Sequence, residues 1–513
     1  MKRRNNPRHI IEQGTRRLFK GIVFLGTAPT RKLQEAIDYL YGYLRADDTP
    51  VQFSSRLLSI FLTCTVLATG VLLYAYHFTN VPREVSFMLG IFVLACLLWI
   101  TEALPLFATA LLVIGLEIIF LSNPASWGGL GFENNASPDF LFFLAPIADP
   151  VIILFLGGFM MARAVAKRKI DASIAAYMLR FFGARPQRVL LGVMVITVLF
   201  SMWISNTATT TMMITMAMPL LAGFKQVPAF EKAVMISIPV AANIGGMGTP
   251  IASPPNALAQ SLLQSKGISV AFWEWMMVGI PATCLMLWIA YKIISYHFKM
   301  REVTGTVTLN PAPISASGRF VILIFLTTVI LWLTEPLHGL PTAVVALIPI
   351  IAFTASGQLS GKDINGLDWS TLLLIAGGIA LGKGITVSGL DTYVTRMIPT
   401  EAEYFFPVLG IATLLLSTLI SNTAAVNLLM PLGISVAWGL SGQSLYFVKE
   451  ICIGIALIAS MGMGLPVSTP SNSIAYAHGK LTGNDFLKTG LVIGIAGTFL
   501  MLLIAYLLRL IFV

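Results

Sequence analysis

Ser201-Met202-Trp203-Ile204-Ser205-Asn206-Thr207-Ala208 and Ser417-Thr418-Leu419-Ile420-Ser421-Asn422-Thr423-Ala424 are two copies of one phrase, Ser-x-x-x-Ser-Asn-Thr-Ala, in opposite halves of the chain. Each is followed by the same tripeptide, Met218-Pro219-Leu220 and Met430-Pro431-Leu432. Outward in both directions the match continues in the same order. Trp99-Ile100-Thr101-Glu102-Ala103-Leu104 pairs with Trp332-Leu333-Thr334-Glu335-Pro336-Leu337. Gly157-Gly158 with Arg163 pairs with Gly377-Gly378 with Lys383, and Ser253-Pro254-Pro255-Asn256 pairs with Thr469-Pro470-Ser471-Asn472. One such match is noise; four in register mark an internal duplication.

The surroundings of these phrases are apolar. The chain has 513 residues, of which 56% are hydrophobic and only 11% charged. That is too little charge to cover a water-exposed surface. Stretches such as Leu57–Tyr76, Val85–Leu104, Phe272–Tyr291 and Leu491–Leu510 have the length, about 20 residues, that crosses a hydrocarbon core. The alternation of a membrane barrel is absent, so the spans are helices, which satisfy their own backbone groups in lipid. The net charge of +10 does not point to nucleic acid. Lys and Arg gather in residues 1–50, Lys167–Arg188 and Lys292–Arg301, outside the clearest spans, as the cytoplasmic side of a membrane protein requires. Cys64, Cys96, Cys284 and Cys452 all sit in apolar stretches, without metal or disulfide spacing. Residues 1–50 lack the apolar core of a secretory signal. Leu33, Ile37, Leu40 and Leu44 recur there at helical spacing, which reads as an amphipathic segment on the membrane surface or as a plain disordered arm.

Counting crossings between equivalent points gives spans near 86–104, 106–121, 150–166, 231–265 and 272–298 before the second copy opens near 319. An odd number turns the second copy upside down, provided the segment around each Ser-Asn-Thr dips into the membrane and returns. The expected fold is an all-α polytopic membrane protein, with about eleven transmembrane helices and two re-entrant hairpins in two inverted repeats, the common build of secondary transporters. The expected division is a basic arm at 1–50, a first transmembrane helix at 51–82, a first repeat at 83–302, a linker at 303–318 and a second repeat at 319–513. The hairpins fall near 187–222 and 404–437. The basic arm and the odd span count put the N-terminus in the cytoplasm and the C-terminus outside, in the cell's inner (plasma) membrane.

Polar groups in the middle of these apolar helices need a reason. Ser201 and Ser205 lie four apart, on one helical face, and Ser417 and Ser421 repeat this. A Ser alone satisfies itself on its own helix. Asn206 and Asn422 do not, because a helix interior disfavours a carboxamide. Each falls at a proposed hairpin tip, where broken backbone is tolerated only if it is buried or lines a cavity. The runs Gly245-Gly246-Met247-Gly248-Thr249-Pro250 and Gly462-Met463-Gly464-Leu465-Pro466 break two further helices. Hydroxyls, amide oxygens and freed carbonyls suit a hard monovalent cation, whereas a soft metal wants clustered His or Cys. The same hydroxyls, with Asn NH₂ and helix N-termini, suit a carboxylate. No Lys or Arg stands inside the Ser-Asn-Thr segments, so bound sodium is one source of charge for a dianion. Arg163 and Lys383 are another, against a role as cations snorkelling at helix ends. Glu102 and Glu335, each at a span end, read as structural or as proton relays.

The doubled Ser-Asn-Thr, the Trp-x-Thr-Glu-x-Leu segments and the Pro-x-Asn segments resemble the divalent anion:sodium symporter family, from about residue 55 to the end. The resemblance implies a homodimer in the lipid bilayer with a scaffold domain and a moving transport domain, working as an elevator. It implies no cofactor beyond sodium as the coupling ion, and sodium-coupled symport of C4-dicarboxylates such as succinate, malate and fumarate. By resemblance, one sodium site falls on Ser201, Ser205, Asn206 and the backbone at Ala252, and a second on Ser417, Asn422 and the backbone at Ile420 and Ser468. The carboxylate contacts fall on Asn206, Thr207, Ser253, Ser421, Asn422, Thr423 and Thr469. Two positions depart from the family, which often has Gly where Ala252 stands and Pro where Ser471 stands. A sodium-independent dicarboxylate exchanger and a sulfate carrier are the rival readings. A channel needs a charged or carbonyl-lined pore, and an enzyme needs a nucleophile with its base or a metal cluster; the sequence offers neither.

Overall fold

The structure is a computed structural model that describes residues 55–78, 81–122, 137–183, 185–222, 228–298, 313–397, 402–440 and 445–512. The basic arm at 1–50, with its amphipathic segment, and most of the linker lie outside the described residues. Among those described there are helices and no strands. In chain order the principal helices are α1 (Ser55–Phe78), α2 (Arg83–Thr101), α3 (Leu106–Leu121), α4 (Pro150–Lys167), α5 (Ile170–Leu179), α6 (Pro186–Ser201), α7 (Asn206–Ala222), α8 (Pro228–Gly245), α9 (Pro254–Ser265) and α10 (Phe272–Phe298). The series continues with α11 (Ala316–Leu333), α12 (Thr342–Ala355), α13 (Trp369–Ser388), α14 (Leu390–Met397), α15 (Ala402–Leu419), α16 (Asn422–Leu440), α17 (Leu445–Ala459), α18 (Pro470–Ala477) and α19 (Gly483–Phe512). After α1, the helices α2–α10 run in the same sequence as α11–α19.

Among the described residues, seven stretches are long and apolar enough to cross a bilayer: Ile60–His77, Arg83–Thr101, Leu141–Lys167, Phe272–Phe298, Ala316–Leu333, Trp369–Ser388 and Gly483–Ile504. Four shorter helices, α3, α6, α12 and Tyr404–Leu419 within α15, are apolar as well. Their outer faces are bare. Tyr404, Val408, Ile411, Leu415 and Leu419 form an exposed stripe on α15, and Val492, Ile495, Phe499, Leu503 and Tyr506 form one on α19. Stripes at steps of three and four along whole helices have lipid, not water, as their solvent.

The matched phrases build matched corners. Trp99 and Trp332 are both fully buried. The Trp99 indole donates to the Leu106 carbonyl at 3.1 Å, and that of Trp332 to the Thr342 carbonyl at 3.0 Å; each acceptor opens the next helix. Thr101 and Thr334 bond back to Leu97 and Ile330 at 2.6 and 2.7 Å. The Trp-x-Thr-Glu segment thus folds each chain reversal onto itself.

The two halves interlock. Helix α4 packs on α12 of the other half, and α13 packs on α3. The Gly-Gly phrases permit this. A Cβ on Gly157 would stand 2.9 Å from that of Ala346, and one on Gly377 would collide with Ala110. The same exchange recurs deeper in the molecule: α9 packs on α16 and α17, while α18 packs on α7 and α8. Arg163 belongs to this framework. Its guanidinium meets Asp363 at 3.1 Å, Lys167 joins the same carboxylate at 2.6 Å, and Asp363 also caps the short helix Gly361–Asn365. The Lys167 ammonium and the Ser360 donors hold the Asp363 carboxyl well below the usual carboxylate range. Lys383 lies over the Phe142 ring at 5.0 Å.

Candidate functional site

Helix α6 ends at Ser201 and α7 begins at Asn206, so Met202–Ser205 form the tip of a helical hairpin; α15, Ile420–Ser421 and α16 repeat it. The hydroxyls at the two tips cap the helices that follow. Ser205 Oγ accepts from the Ala208 N–H at 3.4 Å, and Ser421 Oγ from that of Ala424 at 3.2 Å.

Behind each tip three oxygens converge. Ser201 Oγ lies 2.7 Å from Asn206 Oδ1 and 2.8 Å from the Ala242 carbonyl. Ser417 Oγ lies 2.7 Å from Asn422 Oδ1 and 2.6 Å from the Ala459 carbonyl. Both serines are fully buried. The Ala242 and Ala459 carbonyls also accept the Gly246 and Gly462 N–H groups, at 3.0 and 3.2 Å, and the serine proton serves only one of its two acceptors at a time. Each oxygen has a hydrogen-bond partner, and its second lone pair points towards the other two. The backbone fits tightly around them. A Cβ on Gly246 would come within 2.9 Å of the Asn206 amide, and one on Gly462 would collide with Ser417 Oγ.

The broken helices close over the trios. Asn256 Nδ2 donates to the carbonyls of Gly246 and Thr249, both at 2.8 Å, and Asn472 Nδ2 to those of Met463 and Leu465 at 3.1 and 2.8 Å. The Pro-x-Asn phrase is therefore a clamp across the break. A second brace ties each break to its hairpin tip. Thr249 Oγ donates to the Met202 carbonyl at 2.5 Å, and Ser468 Oγ to the equivalent Thr418 carbonyl at 2.6 Å. These two hydroxyls come from non-equivalent positions. The first half has Ala252 opposite Ser468 and supplies the bond from Thr249; the second half has Leu465 opposite Thr249 and supplies it from Ser468. The departure at Ala252 is compensated three residues upstream. Thr249→Val should orphan the buried Met202 carbonyl, costing about 1–3 kcal/mol of stability, and Ser468→Ala the partly buried Thr418 carbonyl, at the low end of that range. Thermal unfolding of the purified variants measures this, and unchanged unfolding in both would show the brace to be idle.

Of the other residues singled out in the sequence, Ser253 is buried with its hydroxyl unpartnered, Thr207 is exposed, and Asn422 and Thr423 are half-buried. Thr469 caps α18, accepting from the Asn472 N–H at 3.1 Å. Ala252 and Ile420 are buried next to the brace and the tip respectively. The network is built, among the described residues, from hydroxyls, carboxamides and backbone groups. It also includes Asn243, on the last turn of α8. Asn243 Nδ2 lies 3.3 Å from Thr469 Oγ, and Asn243 Oδ1 lies 3.5 Å from Asn206 Nδ2. Through it the N-terminus of α7 and that of α18, from opposite halves, converge. Both present the positive end of a helix.

Comparison with known proteins fits this architecture. A family model described as a citrate transporter matches residues 96–448 and 329–512. The chain belongs to the citrate transporter family. It is 30% identical over 436 residues to the inorganic phosphate transporter of Saccharomyces cerevisiae, covering 83% of this chain and 46% of that one. It is 28% identical over 464 residues to the sodium-dependent dicarboxylate transporter of Staphylococcus saprophyticus, covering 81% and 86%. The chain spans about half the length of the first curated relatives it matches. Among solved structures, the YdaH transporter of Alcanivorax borkumensis aligns at 15% identity with a TM-score of 0.49, covering 79% of this chain and 97% of that one. The family match and the sodium-dependent dicarboxylate relative bear out the resemblance to divalent anion:sodium symporters drawn from the motifs.

Sequence reasoning missed the Ala242 and Ala459 carbonyls, Thr249 and Asn243. The carbonyls carry no signal, because any residue supplies one. Thr249 had a signal, a hydroxyl in the broken segment where the other half has Leu. Asn243 had one too, as a carboxamide inside an apolar helix.

Proposed function

We propose that this citrate transporter family member is a sodium-coupled symporter of C4-dicarboxylates. The observation that carries the reading is the pair of oxygen trios, Ser201–Asn206–Ala242 and Ser417–Asn422–Ala459, each gathered within 2.8 Å of a buried serine hydroxyl and free of fixed charge. A small hard cation relieves three converging oxygens, and a monovalent one needs no carboxylate to do so. With Ser205, Ala252, Ile420 and Ser468 completing the shells, two sodium ions would neutralise a dianion that meets no Lys or Arg in this network. Asn206, Thr207 and Ser253 would hold one carboxylate, and Ser421, Asn422, Thr423 and Thr469 the other, using hydroxyl and amide donors at helix N-termini. The sodium-dependent dicarboxylate transporter among the relatives supports this substrate class.

The proposal includes about eleven spans with two re-entrant hairpins in inverted repeats, as secondary transporters are commonly built. It includes a homodimer in the plasma membrane with the N-terminus inside, and an elevator motion of the hairpins and broken helices against α2 and α11. The relative named as an inorganic phosphate transporter favours a second reading, in which a compact tetrahedral oxyanion takes the same donors. The test is uptake of labelled succinate into proteoliposomes, with citrate, phosphate and sulfate as competitors. Succinate should accumulate only with an inward sodium gradient. Full uptake in choline with succinate trapped inside supports exchange, and competition by phosphate alone supports the oxyanion reading.

A further inference from the structure

We infer that Asn243 is a positioning residue that relays sodium occupancy in the first half of the site to the substrate donor Thr469 in the second. The inference rests on the proposed sodium and carboxylate sites. Asn243 is 1% exposed, and in the register that pairs Gly246 with Gly462 its counterpart is Ala459. A helix at this place therefore does without a carboxamide, and burying one costs free energy unless it is bonded at both ends. Here it is bonded at both ends, to Asn206 on one side and Thr469 on the other.

The direction of these bonds matters. With Asn206 Oδ1 turned towards Ser201, its NH₂ faces Asn243 Oδ1. That fixes the Asn243 amide with its own NH₂ towards Thr469 Oγ. Thr469 Oγ then accepts from Asn243 and from the Asn472 N–H, and its proton is free to donate to a carboxylate. If the Asn206 amide turns over, the order reverses. Its oxygen now faces Asn243, whose NH₂ turns to meet it, and Asn243 presents Oδ1 to Thr469. The Thr469 proton is then consumed inside the protein. A cation in the first trio requires Asn206 Oδ1 inward and so selects the order that frees Thr469. Sodium thereby prepares a donor in the opposite half, beyond the attraction of its charge for a dianion. The second trio has no matching relay through Ala459, so the coupling runs one way round the pseudo-symmetric site.

Two substitutions separate this from a packing role. Asn243→Asp keeps the shape and replaces the amide with an acceptor at both ends. It holds Asn206 Oδ1 inward and adds negative charge beside the first trio, while permanently engaging the Thr469 proton. Sodium affinity should rise and succinate affinity at saturating sodium should fall by about tenfold, the size of one coupling step. Asn243→Leu keeps the volume and cuts the relay. The fall in succinate Kd between low and saturating sodium should shrink by a similar factor. Both are measured on the full chain in nanodiscs, from the shift of the unfolding midpoint with sodium chloride and with succinate. Loss of both affinities together in Asn243→Asp, or an unchanged sodium dependence in Asn243→Leu, overturns the relay. If the unsubstituted protein binds no succinate at any sodium concentration, the proposed substrate falls instead. The relay is then judged on sodium alone, where Asn243→Asp must still bind it more tightly than the unsubstituted chain.

Discussion

Asn206→Ala and Asn422→Ala are each expected to lower sodium-driven succinate uptake by about a hundredfold or more. Each carboxamide stands in an oxygen trio through Oδ1, and each is proposed to reach a substrate carboxylate as well. Its loss removes one ligand from a sodium ion and one donor from an anion. Hydrogen bonds to charged groups contribute about 1.5–3 kcal/mol each, and every 1.4 kcal/mol is tenfold in affinity. Folding should survive, because the caps of α7 and α16 come from Ser205 and Ser421 and not from the Asn side chains. The two variants should nevertheless differ. Asn206→Ala also severs the contact with Asn243, so its succinate affinity should lose sodium dependence more completely than that of Asn422→Ala. The measurement is initial uptake in proteoliposomes at matched protein density, with unfolding curves as the control for structure. Uptake within a few-fold of normal in both well-folded variants would remove the trios from the transport cycle.

What the sequence showed about this site, and what it hid, follows from the range of the interactions. Ser201 and Asn206 bond across five positions of one turn, and Ser417 and Asn422 do the same, so their pairing was visible as a repeated local phrase. The breaks at 246–253 and 462–469 were visible because Gly and Pro act on their own backbone. The Ala242 carbonyl was not visible. It reaches Ser201 only because α8 runs beside α6 and this carbonyl takes a second donor besides the Gly246 N–H, a fact of packing across about forty positions. Arg163 illustrates the same limit from the side of charge. Its place near a helix end was readable, but its partner Asp363 sits in the other half of the chain, and only the interlock of α4 with α12 brings them together. Ala252 shows the converse. A residue-by-residue comparison marks it as a defect, while the brace it lacks is supplied from Thr249, on the same loop but at a different position.

Locking the first hairpin to α11 is expected to stop transport and leave sodium-dependent binding intact. Trp203, at the tip between α6 and α7, packs edge-on to Phe325 of α11 with ring centroids 5.7 Å apart. It also stacks at 6.2 Å on Phe272, which stacks at 4.9 Å on Trp332. This aromatic column is where the proposed moving bundle leans on the proposed scaffold. An elevator must part it, since Trp203 travels with Ser201 and Asn206 while Phe325 and Trp332 stay behind. Aromatic pairs contribute about 0.5–1.5 kcal/mol beyond their buried area, a cost small enough for bound sodium and substrate to offset in each cycle. Sodium bound without the dianion should not make the passage, because unbalanced charge would be carried along the scaffold's apolar wall. The test replaces Trp203 and Phe325 with Cys after changing Cys64, Cys96, Cys284 and Cys452 to Ala or Ser, and bridges the pair with a short thiol reagent that a reductant cleaves. Before bridging, the variant should transport; after it, uptake should fall to background while succinate still binds in sodium; reduction should restore uptake. Normal transport in a fully bridged carrier would rule out a sliding bundle, leaving small movements of the tips at Ser205 and Ser421 to open the site to each side in turn.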